Sequence, residues 1–350
     1  MRFMNRDLVN FGRPYVIAEL GANHNGDLNL ARRLIDAAKR AGADCVKFQS
    51  WTKDTIFSIG VYESNHFLKD DYRDRQDFSL EAIVEKFQVT ESQLLEMRDY
   101  CRQVGIDFSS TPFCERETNY LVDQLDAGFI KVASMDCNNY PLLDHLARKG
   151  RPVMLSTGLS TMSEITQAVD TIEQAGNRDI ILLHCVAIYP PADEILHLRN
   201  IDMLRDNFPQ YPVGFSDHTL GTIMPIAAIA KGACVIEKHF TLDKSMFGWD
   251  HKVSATEDEL RVIVEAAQRV PVAQGSYRRV LSAADYEKIP AFRRSIVAAK
   301  SLKAGHILTR ADLDLKRPGT GLAPKWMPLV VGRTLKRDLG YDQILAPEDF

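Results

Sequence analysis

Two histidines occupy matching positions in two short apolar segments, and this pairing suggests a metal site. His218 follows Ser216 by two residues in VGFSDHTLG, and His239 follows Glu237 by two residues in VIEKHFTLDK. Side chains two residues apart point to the same face of a β-strand. If the segments form adjacent parallel strands, both imidazoles lie at the carboxyl end of one sheet, where they suit Mn²⁺, Mg²⁺, Fe²⁺ or Zn²⁺. The alternative is a pair of hydrogen-bonded core histidines.

Polar residues also end six further apolar segments of the same kind. They are Glu19, Lys47 and Gln49, Ser109 to Thr111, Lys131 with Ser134 and Asp136, Ser156 with Thr157, and His184 with Tyr189 beyond it. Lysine and glutamate are costly to bury unless they are paired or bind a ligand, so packing alone does not explain them. Cationic side chains with hydroxyl groups favour a ligand that carries phosphate and carboxylate groups. The alternative for Lys47 and Lys131 is that both are surface lysines.

Strand-like and helix-like segments alternate along most of the chain. Eight apolar β-rich segments span residues 15–21, 44–50, 107–113, 129–134, 152–158, 180–186, 212–218 and 234–240. Helical patterns span residues 28–42, 90–105, 115–125, 161–176, 222–232 and 256–270. Eight strand–helix repeats predict an α/β fold of the (β/α)8 TIM-barrel type, with an active site at the carboxyl ends of the strands. The alternative is an open doubly wound sheet, but no Gly-rich dinucleotide turn follows the first strand.

The pattern changes after residue 275. We expect a barrel domain over residues 1–275, a linker over 276–291 and a small domain over 292–350 with short β-like segments. The small domain is close to the lower size limit for a stable core, so we expect it to lean on the barrel or on a second subunit. The long connection 51–89 mixes aromatic and charged residues, and we expect it to form part of a substrate lid at the catalytic face.

Composition restricts the possible classes of function. The 350 residues are 45% hydrophobic and 26% charged, as in ordinary soluble proteins, and the net charge of −4 argues against non-specific nucleic-acid binding. No apolar run is long enough to predict a membrane span, and the N-terminal residues lack the hydrophobic stretch of a signal peptide. The six cysteines form no CxxC pair, so we expect them to be reduced and the protein to be cytoplasmic.

Longer stretches of the chain resemble the sialic acid synthase (N-acetylneuraminate synthase) family. They include IAELGANHNGDLNLARRLIDAAKRAGADCVKFQ, LSTGLSTMSEI, GFSDHTLG, EKHFTLDK and RRSIVAAKSLKAGHIL, and they cover nearly the whole chain with a C-terminal antifreeze-like (SAF, β-clip) domain. The resemblance implies that phosphoenolpyruvate is condensed with an N-acylated hexosamine, such as N-acetylmannosamine, to a nine-carbon 2-keto sugar acid and phosphate. It also implies a divalent metal, usually Mn²⁺ or Mg²⁺, and a domain-swapped homodimer.

The resemblance further implies roles for individual residues. His218 and His239 correspond to the metal ligands. The residues that resemble phosphoenolpyruvate contacts are Lys47, Thr111, Lys131, Ser134 and Ser216. Those that resemble positions orienting the sugar and the reacting centre are Glu19, Gln49, Tyr189, Glu237 and Asp250. Arg317, in KRPGTG, resembles the SAF arginine that reaches the partner subunit's site, and Asp136 is our candidate to orient or deprotonate the attacking water.

Two positions depart from the family pattern and leave the sugar open. Asp136 stands where many bacterial members have Glu, and Ala187 stands where they often have Asn, which removes one hydrogen bond worth about 1.5–3 kcal/mol. The alternatives are a legionaminic or pseudaminic acid synthase, or a 9-phosphate synthase that uses the 6-phosphorylated sugar. A barrel metallohydrolase is disfavoured because the first strand has no HxH pair. A non-catalytic sugar-binding relative is disfavoured because both histidines, both lysines and Glu237 are present.

Overall fold

The computed structural model describes residues 1–65 and 79–350, which divide into two compact units, residues 1–275 and 276–350. The first unit begins with a short hairpin of β1 (Arg2–Phe3) and β2 (Arg6–Asp7). Eight parallel strands follow: β3 (Tyr15–Gly21), β4 (Cys45–Gln49), β5 (Asp107–Thr111), β6 (Ile130–Val132), β7 (Val153–Ser156), β8 (Ile180–Cys185), β9 (Val213–Asp217) and β10 (Val235–His239). Every strand-like segment predicted from the sequence therefore contains one of these strands.

The helices of the first unit follow these strands along the chain. They are α1 (Leu28–Ala41), α2 (Lys53–Ile56), α3 (Ile59–Ser64), α4 (Leu80–Phe87), α5 (Glu91–Val104), α6 (Glu115–Asn119), α7 (Tyr140–Ala147), α8 (Met162–Gln174), α9 (Asp193–Leu196), α10 (Asn200–Asn207), α11 (Ile223–Ala230) and α12 (Glu257–Gln274). Local sequence sets several of their ends. Thr90, Thr161 and Thr256 begin α5, α8 and α12 with a capping box, in which a Gln or Glu three residues on bonds back to the cap.

The eight parallel strands form a barrel in the order β5-β4-β3-β10-β9-β8-β7-β6. The two end strands of this order also lie side by side, because Ser109 Oγ donates to the carbonyl oxygen of Phe129, just before β6, at 3.0 Å. One face of each strand packs against the helices in a large apolar core. The other face points into the barrel, and together these features confirm the predicted (β/α)8 architecture.

The amino-terminal half of the barrel interior is apolar and is closed by the N-terminal hairpin. Phe3 packs edge-on against Tyr15, with ring centroids 5.1 Å apart, and also contacts Phe129. Met154 and Leu183 complete this inner cluster from the opposite side of the barrel. Because apolar side chains fill the amino-terminal half of the barrel interior, the inward-facing polar residues lie at its carboxyl-terminal mouth.

The long connection after β4 is partly helical. Trp51, Leu80 and Phe87 form a buried apolar cluster with Trp249, and the rings of Trp51 and Trp249 lie 5.4 Å apart. This cluster packs the connection against the loop that follows β10. Residues 66–78 of the predicted lid lie outside the described residues.

The second unit contains a short β-pair and its own core. Helix α13 (Ala283–Phe292) occupies most of the predicted linker, and Ser282 caps it through Asp285. Strands β11 (Ser295–Ala298) and β12 (Leu313–Lys316) pair antiparallel, and α14 (Met327–Val330) follows. Its core includes Ile296, Leu308, Leu313, Leu335 and Leu345. Among the residues that the structure describes in both units, no helix has the length and apolar character needed to cross a membrane.

Candidate active site

Buried charged side chains meet at the carboxyl-terminal mouth of the barrel. The register of β3 and β4 places Glu19 beside Lys47, and the two form an ion pair in which each residue is only 2% exposed. Lys47 Nζ also donates to Thr111 Oγ1 at 2.7 Å. The surface-lysine alternative for Lys47 is therefore wrong, since its ammonium group is enclosed by polar partners on β3 and β5.

A second buried lysine lies across the mouth. Lys131 on β6 donates through Nζ to Ser156 Oγ at 2.7 Å and to the carbonyl oxygen of Val132 at 2.8 Å. It is 3% exposed, so it is not a surface lysine either.

Glu237 on β10 lies between the two lysines. Its Oε1 is 3.8 Å from Lys131 Nζ and its Oε2 is 3.8 Å from Lys47 Nζ, and Ser216 Oγ donates to Oε1 at 2.8 Å. Each ammonium group therefore faces one carboxylate oxygen without direct contact.

Burial and neighbouring charges shift the pKa values of these groups in different directions. Burial lowers the pKa of Lys131, because Glu237 compensates for it only in part. Burial opposes the charge of Lys47 too, but Glu19 and Glu237 outweigh it and raise the Lys47 pKa. Burial raises the pKa of Glu19 to about 7, although Lys47 opposes the shift. Burial would also raise the pKa of Glu237, but Lys131 and Lys47 outweigh it and lower that pKa. The mouth thus combines the carboxyl group of Glu19, which can transfer a proton near neutral pH, with the carboxyl group of Glu237, which stays ionised.

The predicted histidine pair lies at the same mouth, where β9 and β10 are neighbours. The ring centroids of His218 and His239 are 5.4 Å apart. His218 Nδ1 lies 2.8 Å from the carbonyl oxygen of Val186, to which it donates, so in the neutral ring the lone pair is on Nε2. Burial opposes a charge on His218, but Cys185 and the Val186 carbonyl outweigh it and raise the His218 pKa. Burial holds the pKa of His239 well below its usual range, which keeps that ring neutral. Neutral imidazoles with an oriented second nitrogen are the form that binds metals.

The donor set around the histidines fits a divalent ion that also takes substrate or water oxygens. His239 Nδ1 is buried with no hydrogen-bond partner in the described part of the chain, and Asp250 Oδ2 lies 3.7 Å from it. Within residues 1–65 and 79–350, no group of three His, Cys, Asp or Glu side chains is arranged to hold a metal. If the two histidines bind an ion, its remaining coordination positions would stay open, as in catalytic rather than structural sites.

Tyr189 and Gln49 border these groups. The ring centroid of Tyr189 lies 4.0 Å from that of His218 and 5.9 Å from that of His239. Gln49 Nε2 donates to Glu19 Oε1 at 3.0 Å, and Trp51 Nε1 fixes the other end of the Gln49 amide at 2.7 Å. Both residues therefore line the mouth beside the charged cluster, and their roles in sugar binding stay predictions.

Asp136 and Ser134 lie on a 3₁₀ turn that directly follows β6. Asp136 Oδ1 accepts from Asn139 Nδ2 at 3.0 Å, while Oδ2 is buried with no hydrogen-bond partner among the described residues. Burial raises the Asp136 pKa, and Asn139 and Lys131 oppose this shift. A Cβ at Gly158 would come within 2.7 Å of Ser134 Oγ, so the glycine gives this turn the space it occupies.

The structure corrects one candidate and adds another on β8. His184 was expected among the polar strand-end residues, but it faces the helices, stacks on Phe215 at 5.6 Å and bonds to the carbonyl oxygen of Leu196 at 2.8 Å. The inward residue is Cys185, whose Sγ lies 3.9 Å from His218 Nδ1. Strict alternation from Leu183, which belongs to the inner cluster, would have identified Cys185.

Arg317 belongs to the second unit. It lies in the loop after β12, and its guanidinium carbon is 5.3 Å from the ring centroid of Phe292 at the end of α13. The cluster at the barrel mouth brings together the other predicted site residues, all of which belong to the first unit. The expected action of Arg317 in a partner subunit's site stays a prediction.

Known proteins resemble this chain over most of its length. The NeuB family matches residues 34–279, and the SAF domain matches residues 293–350. An N,N'-diacetyllegionaminic acid synthase of Legionella pneumophila is 36% identical over 93% of this chain and 91% of that protein. The human N-acetylneuraminate-9-phosphate synthase is 34% identical over 86% of this chain and 82% of that protein. The crystal structure of a sialic acid synthetase from Leptospira borgpetersenii matches with a TM-score of 0.71 at 32% identity, over 83% of this chain and 94% of that one. This chain, with its barrel mouth and its SAF domain, therefore belongs to the NeuB family of phosphoenolpyruvate-dependent condensing enzymes.

Proposed function

We propose that this protein condenses phosphoenolpyruvate with an N-acylated hexosamine, such as N-acetylmannosamine, to give a nine-carbon 2-keto sugar acid and inorganic phosphate. One observation supports this most directly. Two buried ammonium groups, Lys47 and Lys131, flank Glu237 at the same end of the barrel as His218 and His239. Such a site offers charge for a phosphorylated acid and imidazoles for a metal at one end of the barrel.

The phosphoenolpyruvate site is formed by the two lysines and the hydroxyl groups around them. Lys131 already donates to Ser156, and Lys47 already donates to Thr111, so both ammonium groups are oriented before a ligand arrives. Hydrogen bonds from ammonium groups to phosphate or carboxylate are roughly twice as strong as neutral ones. Ser216 lies within the same network through Glu237.

His218 and His239 would hold the divalent ion, with Mn²⁺ proposed first and Mg²⁺ as an alternative. When bound there, the ion would polarise the aldehyde oxygen of the open-chain sugar as a Lewis acid. The chain's own contribution is to keep the His239 ring neutral and to aim the Nε2 atom of His218 away from Val186.

The proposed reaction forms a bond between the methylene carbon of phosphoenolpyruvate and the aldehyde carbon of the sugar. Water adds to the former enol carbon, and phosphate leaves as that carbon becomes a ketone. One proton of the water goes to the new hydroxyl group and the other to the departing phosphate. Asp136, whose Oδ2 is buried with no hydrogen-bond partner among the described residues, is the proposed acceptor from water. Glu19, whose pKa lies at about 7, is the proposed group that delivers a proton to the new hydroxyl.

The identity of the sugar is the finer part of the proposal. The relatives are named as synthases of N,N'-diacetyllegionaminic acid, pseudaminic acid and N-acetylneuraminate 9-phosphate, so these products are the alternatives for this chain. All share phosphoenolpyruvate and differ in the acylamino groups or in phosphorylation of the sugar. The barrel-mouth cluster described above supports the shared half of the reaction.

Phosphate release from phosphoenolpyruvate tests the proposal. The purified protein with Mn²⁺ is incubated with a panel of N-acylated hexosamines that carry one or two acylamino groups, each with and without a 6-phosphate. We expect sugar-dependent phosphate release and a product whose mass equals that of the two substrates plus water minus phosphoric acid. Absence of sugar-dependent release across the panel would contradict the proposal.

A further inference from the structure

A fully buried ion pair lies on the outer face of the barrel, directly behind the histidine pair. Lys238 Nζ donates to Asp217 Oδ2 at 2.6 Å, and neither side chain has any exposed surface. Lys238 also donates to the carbonyl oxygen of Thr219. Asp217 in turn accepts from the Thr219 backbone N–H at 2.9 Å and from Thr219 Oγ1 at 3.2 Å.

Asp217 and Thr219 flank His218 in the sequence, and Lys238 directly precedes His239. Asp217 and Lys238 are register partners on β9 and β10. His239 is the next residue of β10, and His218 directly follows the end of β9. Because strand side chains alternate, the ion pair and the imidazoles point to opposite faces. Lys238, the residue before His239, therefore links β10 to Asp217 and Thr219, the residues on either side of His218.

Stability does not explain such a pair. Desolvating two charges costs several kcal/mol per ion, and replacing a buried pair by apolar groups is often neutral or stabilising. Metal sites, by contrast, depend on groups behind the ligands, whose loss typically costs about 10–100-fold in metal affinity. Metal–ligand distances tolerate only about 0.2 Å, so the spacing of the two strand ends must be fixed.

We propose that Asp217 and Lys238 are a positioning pair that sets the spacing of His218 and His239 for a divalent ion. The inference rests on the proposed metal site and assigns these two residues a role that the reacting groups themselves do not fill. It also explains why a lysine occupies an outward position of β10 in an apolar layer.

The test replaces both charges without leaving either one unpaired. In Asp217→Asn/Lys238→Met, the asparagine still accepts from Thr219, but the link from β10 to Thr219 is lost. The matched control is Lys244→Met/Glu259→Gln, which removes a half-buried pair with a 2.7 Å contact in the segment after β10. Mn²⁺ affinity is measured by electron paramagnetic resonance without substrates, and the melting temperature by calorimetry.

We expect the Asp217/Lys238 double variant to stay folded and to bind Mn²⁺ about 10–100-fold more weakly, with the control unchanged. If the Met variant does not fold, Asp217→Asn/Lys238→Gln replaces it, since Gln keeps a donor but is too short to reach both partners. Wild-type Mn²⁺ affinity in a folded double variant would overturn this inference and leave the proposed metal site in place. No Mn²⁺ binding by the wild-type protein would overturn both this inference and the metal site, while phosphate release would still test the reaction.

Discussion

His218 Nδ1 lies 2.8 Å from the carbonyl oxygen of Val186, just beyond the end of the neighbouring strand β8. A carbonyl oxygen can only accept, so in the neutral ring this hydrogen bond fixes the proton on Nδ1 and leaves the lone pair on Nε2. The strand order of the barrel thereby prepares one imidazole for an ion before any ion arrives. The same contact makes the role of the histidine testable.

Removing the metal is expected to abolish turnover, and adding Mn²⁺ is expected to restore it. His218→Ala should lose Mn²⁺ affinity while staying folded, because the side chain lies at the polar mouth and its hydrogen-bond partners among the described residues are the Val186 carbonyl oxygen and Cys185 Sγ. His184→Ala is the matched control, since it removes a buried histidine from the outer face of the adjacent strand. The control should weaken the fold and keep Mn²⁺ affinity, as measured by calorimetry and paramagnetic resonance. Full activity of the chelated, metal-free protein would contradict the metal hypothesis.

Asp136→Asn is expected to slow turnover by roughly 10²–10⁴-fold, the usual contribution of a general base. Asparagine keeps the shape and the bond to Asn139 but cannot accept the proton of water. The Michaelis constant for phosphoenolpyruvate should change little, which steady-state kinetics measures. Asp144→Asn, at an exposed position on α7 paired with Arg148, serves as control. Near-normal turnover of Asp136→Asn would move the role elsewhere, with Glu237 as the next candidate.

Lys131→Ala is expected to raise the Michaelis constant for phosphoenolpyruvate and to weaken inhibition by phosphate. A hydrogen bond to a charged group is worth about 1.5–3 kcal/mol, which corresponds to an effect of about 10–100-fold. Lys149→Ala, which removes a partly exposed lysine paired with Asp123, should leave both constants unchanged. An unchanged constant for phosphoenolpyruvate together with an altered one for the sugar would reverse the assignment of Lys131.

Arg317 is expected to act in the active site of the partner subunit of a homodimer. A guanidinium can donate to an acyl carbonyl oxygen in fixed geometry. Helix α13 takes up 10 residues of the region between barrel and SAF domain, which shortens the reach compared with an extended linker. Helical and extended rises together still allow roughly 35–40 Å over residues 276–292.

Mixing two inactive variants tests this arrangement. Arg317→Ala and His239→Ala are purified separately and allowed to exchange subunits. If Arg317 acts in trans, mixed dimers contain one site with both groups intact, and activity recovers. If each variant alone is inactive and verified exchange restores no activity, the arginine does not act across the dimer.

The stability of the barrel is expected to fall as the pH drops from 6.5 to 4. Burial lowers the pKa of His24 from 6.5 to about 4, and its Nδ1 accepts from the Gly26 backbone N–H at 3.0 Å. Over this range the unfolded chain binds the proton and the folded protein does not, so acid favours unfolding. The full shift corresponds to about 3 kcal/mol.

The measurement is calorimetry of the barrel transition at several pH values. In His24→Asn the amide oxygen can replace Nδ1 as acceptor and does not titrate, so the dependence on pH should become shallower. His197→Asn changes an exposed histidine and should keep the wild-type dependence. An unaltered slope in His24→Asn would assign the acid sensitivity to other groups.

The alternation of apolar segments in the sequence was sufficient to predict the barrel. Strand β3 has the predicted bounds, and the others lie inside their predicted segments, because burial on both faces leaves long apolar runs. The predicted strand 129–134 is longer than the observed one. Only Ile130–Val132 is strand, and Ser134–Asp136 forms a 3₁₀ helix. Six described helices of the first unit were not predicted. Helices α2, α3 and α9 have only four to six residues, and α4, α7 and α10 have eight each, which is too short to show a clear helical period.

Alternation within strands also identified Lys47, Lys131 and Glu237 as inward residues, since side-chain direction along a strand is a local property. The proximity of these three side chains, however, depends on residues far apart in the sequence. Glu237 reaches Lys47 two strands away in one direction and Lys131 four strands away in the other, so both contacts depend on closure of the barrel. The partner of Lys238 likewise lies on the neighbouring strand, where only the register of β9 and β10 places Asp217. Sequence sets which face each side chain takes, whereas distances between strands follow from packing of the whole barrel.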